Sequence, residues 1–259
     1  MPIDWEHIDA ALWRHNKETL MPVHNIDRVR LSDLVGIEDQ ASALVRNTER
    51  FIAREPANNA LLWGARGTGK SSLIKALLNE FKHQRLRLIQ VFKHDLYDLF
   101  DIVDEIRDLP YRFIIYCDDF SFEMNDDSYV ALKTVLEGSI EAPADNILIY
   151  ATSNRRHLLP ETMQDNLASK MVDEELHYAD AIEEKISLSD RFGLWLSFYQ
   201  PNQDGYLRIV DSYFRNYAGD RDQLHLEAIR FAQTRASRSG RTAKQFFNYY
   251  SDVKNTDLS

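Results

Sequence analysis

The sequence predicts an α/β fold: a doubly wound parallel sheet of about five strands, followed by a small helical unit. Three observations lead there. Short apolar runs alternate with stretches whose apolar residues recur at helical spacing. A strand, a glycine-rich turn and a helix follow one another between Ala60 and Phe81. After the polar segment Gln200-Pro201-Asn202-Gln203-Asp204-Gly205, only helical spacing remains. The organisation implied is an N-terminal arm over 1–30, an α/β domain over 31–200 and a helical lid over 201–259.

In the arm, Trp5, Ile8 and Leu12 sit three and four apart, which predicts a short helix packed on the body. After Leu31-Ser32-Asp33-Leu34-Val35-Gly36-Ile37-Glu38, the stripe Ala41, Leu44, Val45, Thr48, Phe51 and Ile52 predicts a helix that Pro56 ends in a turn. Ala60 to Trp63 is the first predicted strand, and Leu73, Ile74, Leu77, Leu78 and Phe81 stripe the helix after it. Leu86 to Phe92 is the second strand. Its helix carries Leu96, Leu99, Phe100, Val103 and Ile106 inward and stops before Pro110. The third strand, Phe113 to Cys117, is apolar throughout, as a strand buried on both faces of a parallel sheet would be. A helix over Asp127 to Gly138 and a fourth strand over Asn146 to Asn154 follow. The acidic stretch 173–190 reads as a solvated face, and Leu194 to Phe198 as the fifth strand. Beyond the linker, three helices are marked by Tyr206, Val210, Tyr213, Phe214 and Tyr217; by Leu226, Ile229 and Ala232; and by Ala243, Phe246, Phe247 and Tyr250.

Composition bounds the function. The 259 residues are 44% hydrophobic with a formal net charge of −10, which is globular and argues against nucleic acid as the default partner. The single cysteine, Cys117, lies in an apolar run, so no internal disulfide can form and a reducing cytoplasm is expected. The start of the chain lacks the pattern of a signal peptide, and no apolar run is long enough to cross a membrane. The eight histidines are scattered, without H-E-x-x-H or a Cys/His cluster, so no zinc site is predicted.

Gly64-Ala65-Arg66-Gly67-Thr68-Gly69-Lys70-Ser71, followed by Ser72, fits G-x-x-x-x-G-K-[ST], the phosphate-binding loop. Three glycines let backbone N–H groups curl inward where a side chain would obstruct a phosphate. The helix N-terminus adds a positive dipole end. Lys70 supplies a charge for the terminal phosphates and Ser71 a hydroxyl for Mg²⁺. Two carboxylates, Asp118 and Asp119, end the third strand and need a cationic partner there. Asp118 would hold Mg²⁺, directly or through water, and Asp119 would orient or deprotonate a water. Asn154 would bond that water or the γ-phosphate; alone, it would read equally well as a turn residue.

This ordered set resembles the AAA+ ATPases from about residue 28 to 252. Leu34-Val35-Gly36-Ile37-Glu38 is similar to that family's opening box, implying that Val35 and Gly36 contact adenine through the backbone. Residues 64–71 and 113–119 resemble Walker A and Walker B, and Asn154 the first sensor. Arg191, in Ser189-Asp190-Arg191-Phe192-Gly193, resembles the arginine finger supplied to a neighbouring subunit. Arg241, in Ser239-Gly240-Arg241-Thr242-Ala243, resembles the second sensor, with Arg238 near enough to compete. The two segments together further resemble an uncharacterised bacterial family of predicted AAA+ ATPases. Most AAA+ enzymes carry Asp-Glu where this chain has Asp118-Asp119; Glu123 is a weaker candidate base. The resemblance implies a Mg²⁺-dependent ATPase that assembles into nucleotide-dependent oligomers and remodels or loads a partner. The alternative is a slow or non-hydrolysing ATP-controlled switch acting through partner binding. Arg230, Arg235, Arg238, Arg241 and Lys244 form a basic stretch that could face nucleotide phosphate, an acidic surface or DNA; overall acidity weighs against DNA.

Overall fold

Among the described residues, seven strands form one sheet in the order β2-β1-β4-β5-β6-β3-β7. They are β1 Ala10–Arg14, β2 Thr19–Pro22, β3 Ala60–Gly64, β4 Leu86–Val91, β5 Arg112–Cys117, β6 Ile147–Ser153 and β7 Leu194–Phe198. The structure is a computed structural model that describes residues 3–120, 129–137, 142–154 and 188–256. Every neighbouring pair is parallel except β1 with β2. Strand β5 is buried along its whole length between β4 and β6, as its unbroken apolar run requires.

The pleat sends successive side chains to opposite faces. Leu61 and Ile115 enter one core, while Leu62 and Ile114 enter the other. Helices α1 Glu38–Ile52, α2 Lys70–Phe81, α3 Leu99–Ile106 and α4 Tyr129–Glu137 accompany the sheet. A separate apolar cluster joins α5 Gln203–Tyr213, α6 Arg221–Thr234 and α7 Gly240–Thr256. Among the described residues no helix is long and apolar enough to cross a membrane.

Three expectations need correction. The arm forms no helix at 5–12: a turn at residues 5–7 leads into the hairpin β1–β2, which lengthens the sheet from the expected five strands to seven. The cause is the open edge of β4, on which Ala10 pairs with Leu88 and Ala11 with Ile89. Trp5 and Trp13 are buried in the core, and Arg87 holds the arm by donating from Nε and Nη2 to the Trp5 carbonyl at 2.9 and 2.6 Å.

Second, Phe100 is exposed and Ile102 is buried. A 3₁₀ turn over Lys93–Asp98 precedes α3, so Leu96, Leu99 and Ile102 align at intervals of three and Phe100 turns outward. Third, the inner face of α6 is Leu224, Ala228 and Ala232, while Leu226 points to solvent. The small Ala228 lets α6 approach Tyr206, whose hydroxyl donates to the Ala228 carbonyl at 3.3 Å. The expected acidic face lies mostly outside the described residues, as do Glu123 and both ends expected for the α4 helix.

Leu224 is 0% exposed and Leu226 43%. Leu224→Ala should therefore cost about 2–5 kcal/mol in urea unfolding, and Leu226→Ala less than about 0.5 kcal/mol. Equal costs would return Leu226 to the core.

Candidate functional site

The C-terminal ends of β3, β5 and β6 open onto a cavity of about 650 Å³. Its wall is the loop Arg66 to Ser72, with Asp118, Asp119, Thr152 and Asn154 at the strand ends. Val35, Gly36 and Ile37 border one side, and Tyr199, Pro201, Ile209 and Tyr213 another. Gly240, Arg241 and Lys244 of α7 reach in from the helical unit. A second cavity, about 460 Å³, lies at the opposite end of the strands and holds none of the site residues expected from the sequence.

The loop's glycines answer separate constraints. Gly64, Gly67 and Gly69 all have positive φ. A Cβ on Gly64 would come within 2.0 Å of the Phe198 carbonyl oxygen, so β7 can pair with β3 there only because position 64 is glycine. At Gly67, a Cβ would meet the Ser239 hydroxyl at 2.9 Å and the Arg241 Cβ at 3.3 Å. The Gly67 carbonyl accepts from the Gly240 N–H at 3.0 Å, which joins the loop to the N-terminus of α7.

Lys70 opens α2 and is buried, 7% exposed. Its Nζ donates to the carbonyls of Gly64 and Ala65, each at 2.7 Å, and to Asn154 Oδ1 at 3.3 Å. Those three partners are neutral. Burial therefore pulls its pKa down to about 8, although Asp118 and Asp119 oppose the shift.

Asp118 Oδ1 accepts from the Ser71 hydroxyl at 2.9 Å and the Thr152 hydroxyl at 2.6 Å. Burial works against its charge, but the hydrogen bonds, that from Thr152 foremost, outweigh burial and hold its pKa below the usual carboxylate value. Asp119 is more exposed, with its backbone in the left-handed region at φ 51°. Its N–H donates to Thr152 Oγ1 at 3.1 Å, and its Oδ1 accepts from Asn154 Nδ2. Arg66 Nη2 stands 3.9 Å from Asp119 Oδ2, an exposed pair of small energetic weight. The left-handed backbone gives a reason for the short side chain: Asp tolerates that conformation better than Glu.

The cavity thus gathers Arg66, Gly67, Thr68, Gly69, Lys70, Ser71, Ser72, Asp118, Asp119, Asn154, Val35, Gly36 and Arg241. Gly64 and Ala65 lie beneath it, as acceptors for Lys70. Arg238 is exposed and does not line the cavity. Arg191 sits before β7, whose start pairs with the start of β3, so it lies at the far end of the strands from the loop. Thr152 was missed. The signal was there: in the expected strand Asn146 to Asn154, Thr152 lies two residues before Asn154, and the alternation of a strand would send both the same way. Cys117 is buried, which pushes its thiol up to about 12, so it is no nucleophile at neutral pH.

A family model described as "Protein of unknown function (DUF815)" matches residues 6–254. No curated protein matches the chain. Among solved structures, a variant of RuvB from Thermotoga maritima is similar with a TM-score of 0.50 at 11% identity, over 86% of this chain and 72% of that one. Two more structures from that organism match with TM-scores of 0.48: RuvB described as a Holliday junction branch migration motor, at 11% identity, and another variant, at 12%. These cover 86% of this chain and 72% and 73% of theirs. At such identity the likeness is one of fold, an α/β sheet of the phosphate-loop kind.

The Lys70 shift predicts a pH effect. Folded Lys70 titrates near 8 and the unfolded side chain at 10.5, so between them the unfolded state binds more protons. Burying the charge is a full cost below pH 8 and is relieved as pH rises to 10.5. Relative to Lys70→Met, the wild type should gain stability across that window, by at most about 1.4 kcal/mol per pH unit. Urea melts of both proteins at pH 7, 8.5 and 10 measure it; parallel curves would mean an ordinary lysine.

Proposed function

The chain belongs to the DUF815 family of proteins of unknown function, and from that premise and the cavity's chemistry we propose that it is a Mg²⁺-dependent AAA+ ATPase. One observation carries the reading. A buried ammonium without a carboxylate partner, a hydroxyl–carboxylate pair and an arginine from the helical unit face one cavity at the strand ends. That cavity is of a size that takes a nucleotide.

ATP would lie between the sheet and the helical lid, with its adenine beside Val35 and Gly36. Its β- and γ-phosphates would draw Lys70 off its two carbonyls and supply the anion that burial has withheld. Ser71 and Asp118 are hard oxygen donors 2.9 Å apart, a set that suits Mg²⁺ and leaves room for its waters. The metal would neutralise charge on the phosphates. Thr152 would hold Asp118 ionised and in place. Asp119 would orient the attacking water, assisted by Asn154. Arg241 would reach the γ-phosphate from α7, so the Gly67–Gly240 hydrogen bond would tell the lid whether phosphate is present. Arg191 would act on the site of a neighbouring copy, which makes oligomers part of the mechanism. Such an assembly would remodel or load a partner in the cytoplasm.

A second reading has its own support. Asp119 is tied to Asn154 and Arg66 and is one methylene shorter than the usual glutamate. That favours an ATP-controlled switch which hydrolyses slowly or not at all and acts by binding its partner. A basal turnover assay, with and without added nucleic acid, separates the two.

Four substitutions test the assignment. Lys70→Ala should abolish ATP binding in calorimetry. Thr152→Val should weaken Mg²⁺-dependent binding by roughly tenfold. Asp119→Asn should keep ATP affinity and lose about a hundredfold or more in turnover. Arg191→Ala should lose about a thousandfold at concentrations where oligomers form. Unchanged ATP affinity in Lys70→Ala would sink the ATPase reading, and unchanged turnover in Arg191→Ala the finger assignment.

A further inference from the structure

Away from the cavity, His15, Asp95 and Asp98 come together where the β1–β2 hairpin meets the 3₁₀ turn after β4. One ligating atom from each lies within 4.8 Å of the others. Asp98 is fixed from two sides: its Oδ2 accepts from Trp13 Nε1 at 2.7 Å and meets His15 Nδ1 at 2.8 Å. Asp95 is 2% exposed, and its Oδ1 has no hydrogen-bond partner. His94 Nε2 stands 3.4 Å from that oxygen, and His94 stacks on Phe92 at 5.8 Å.

A buried carboxylate without a donor is costly. Burial raises its pKa; His94, His15 and Arg14 pull the other way, His94 foremost, and Asp98 adds to the rise. What the spot lacks is a cation that can accept carboxylate and imidazole together. Mg²⁺ prefers oxygen alone, while mixed imidazole and carboxylate donors suit Zn²⁺ and its neighbours in the transition series.

We infer that His15, Asp95 and Asp98 form a binding site for a divalent transition-metal ion, and that the ion clips the N-terminal hairpin to the sheet. The site stands apart from the nucleotide reading, since it shares no residue with that cavity. The ligands lie about 80 positions apart in the chain, which is why no spacing motif signalled them.

The test is calorimetry of the full chain with Zn²⁺ in excess Mg²⁺, with thermal melts in parallel. One ion per chain should bind, and at a hundredfold over Kd the Tm should rise by roughly 5–10 °C. His15→Ala removes an exposed ligand without touching the core and should weaken binding at least tenfold, as should Asp98→Asn. Asp118→Asn and Lys70→Ala should bind Zn²⁺ as the wild type does. No binding would overturn the proposal. So would binding that survives both His15→Ala and Asp98→Asn, or that is lost in Asp118→Asn.

Discussion

The buried ammonium of Lys70 is the constraint on which the site depends. Its charge sits beneath the glycine loop with only carbonyl and amide oxygens for company. To supply them, the chain must turn the carbonyls of Gly64 and Ala65 downward, which requires the positive φ that begins at Gly64. The same glycine admits β7 against β3. The third oxygen comes from Asn154 beyond β6, on the other flank of β3. Strand order and loop shape are thus tied to one cation, and that cation stays destabilised until an anion arrives. A site that stores an unfavourable positive charge at the N-terminus of a helix is suited to an anion.

The carboxylates divide the work by environment. Asp118 is half-buried and kept ionised by hydroxyl hydrogen bonds, those from Ser71 and Thr152 among them, so it is a fixed negative charge. Asp119, the next residue, is thrown outward by its left-handed backbone and tied only at the surface. Neighbouring residues of one type differ in exposure because the strand ends at Cys117 and the backbone turns left-handed at Asp119. The helical unit enters the same frame through Gly67 and Gly240, a backbone bond that only two small residues in close approach allow.

Much of this was legible in the chain. The five parallel strands, the loop and its helix follow from apolar periodicity and glycine spacing, because those patterns report local backbone preference and one buried face. The errors fall where a neighbour decided. Trp5, Ile8 and Leu12 have helical spacing, but a free edge of β4 offered hydrogen bonds that outweighed it. Leu226 and Phe100 are as apolar as the residues that were buried in their place; which one turns inward depends on the small Ala228 facing Tyr206 and on a 3₁₀ turn upstream.

The sequence by itself determined the fold class, the phosphate loop and the identity of most polar groups around the cavity. Each of these is carried by residues close in the chain, where spacing alone constrains geometry. Tertiary structure decided that Arg241 rather than Arg238 lines the cavity, that Arg191 stands at the far end of the strands, that Thr152 secures Asp118, and that His15 meets Asp95 and Asp98. Those relations join segments tens of residues apart, and the packing of the sheet brings them together.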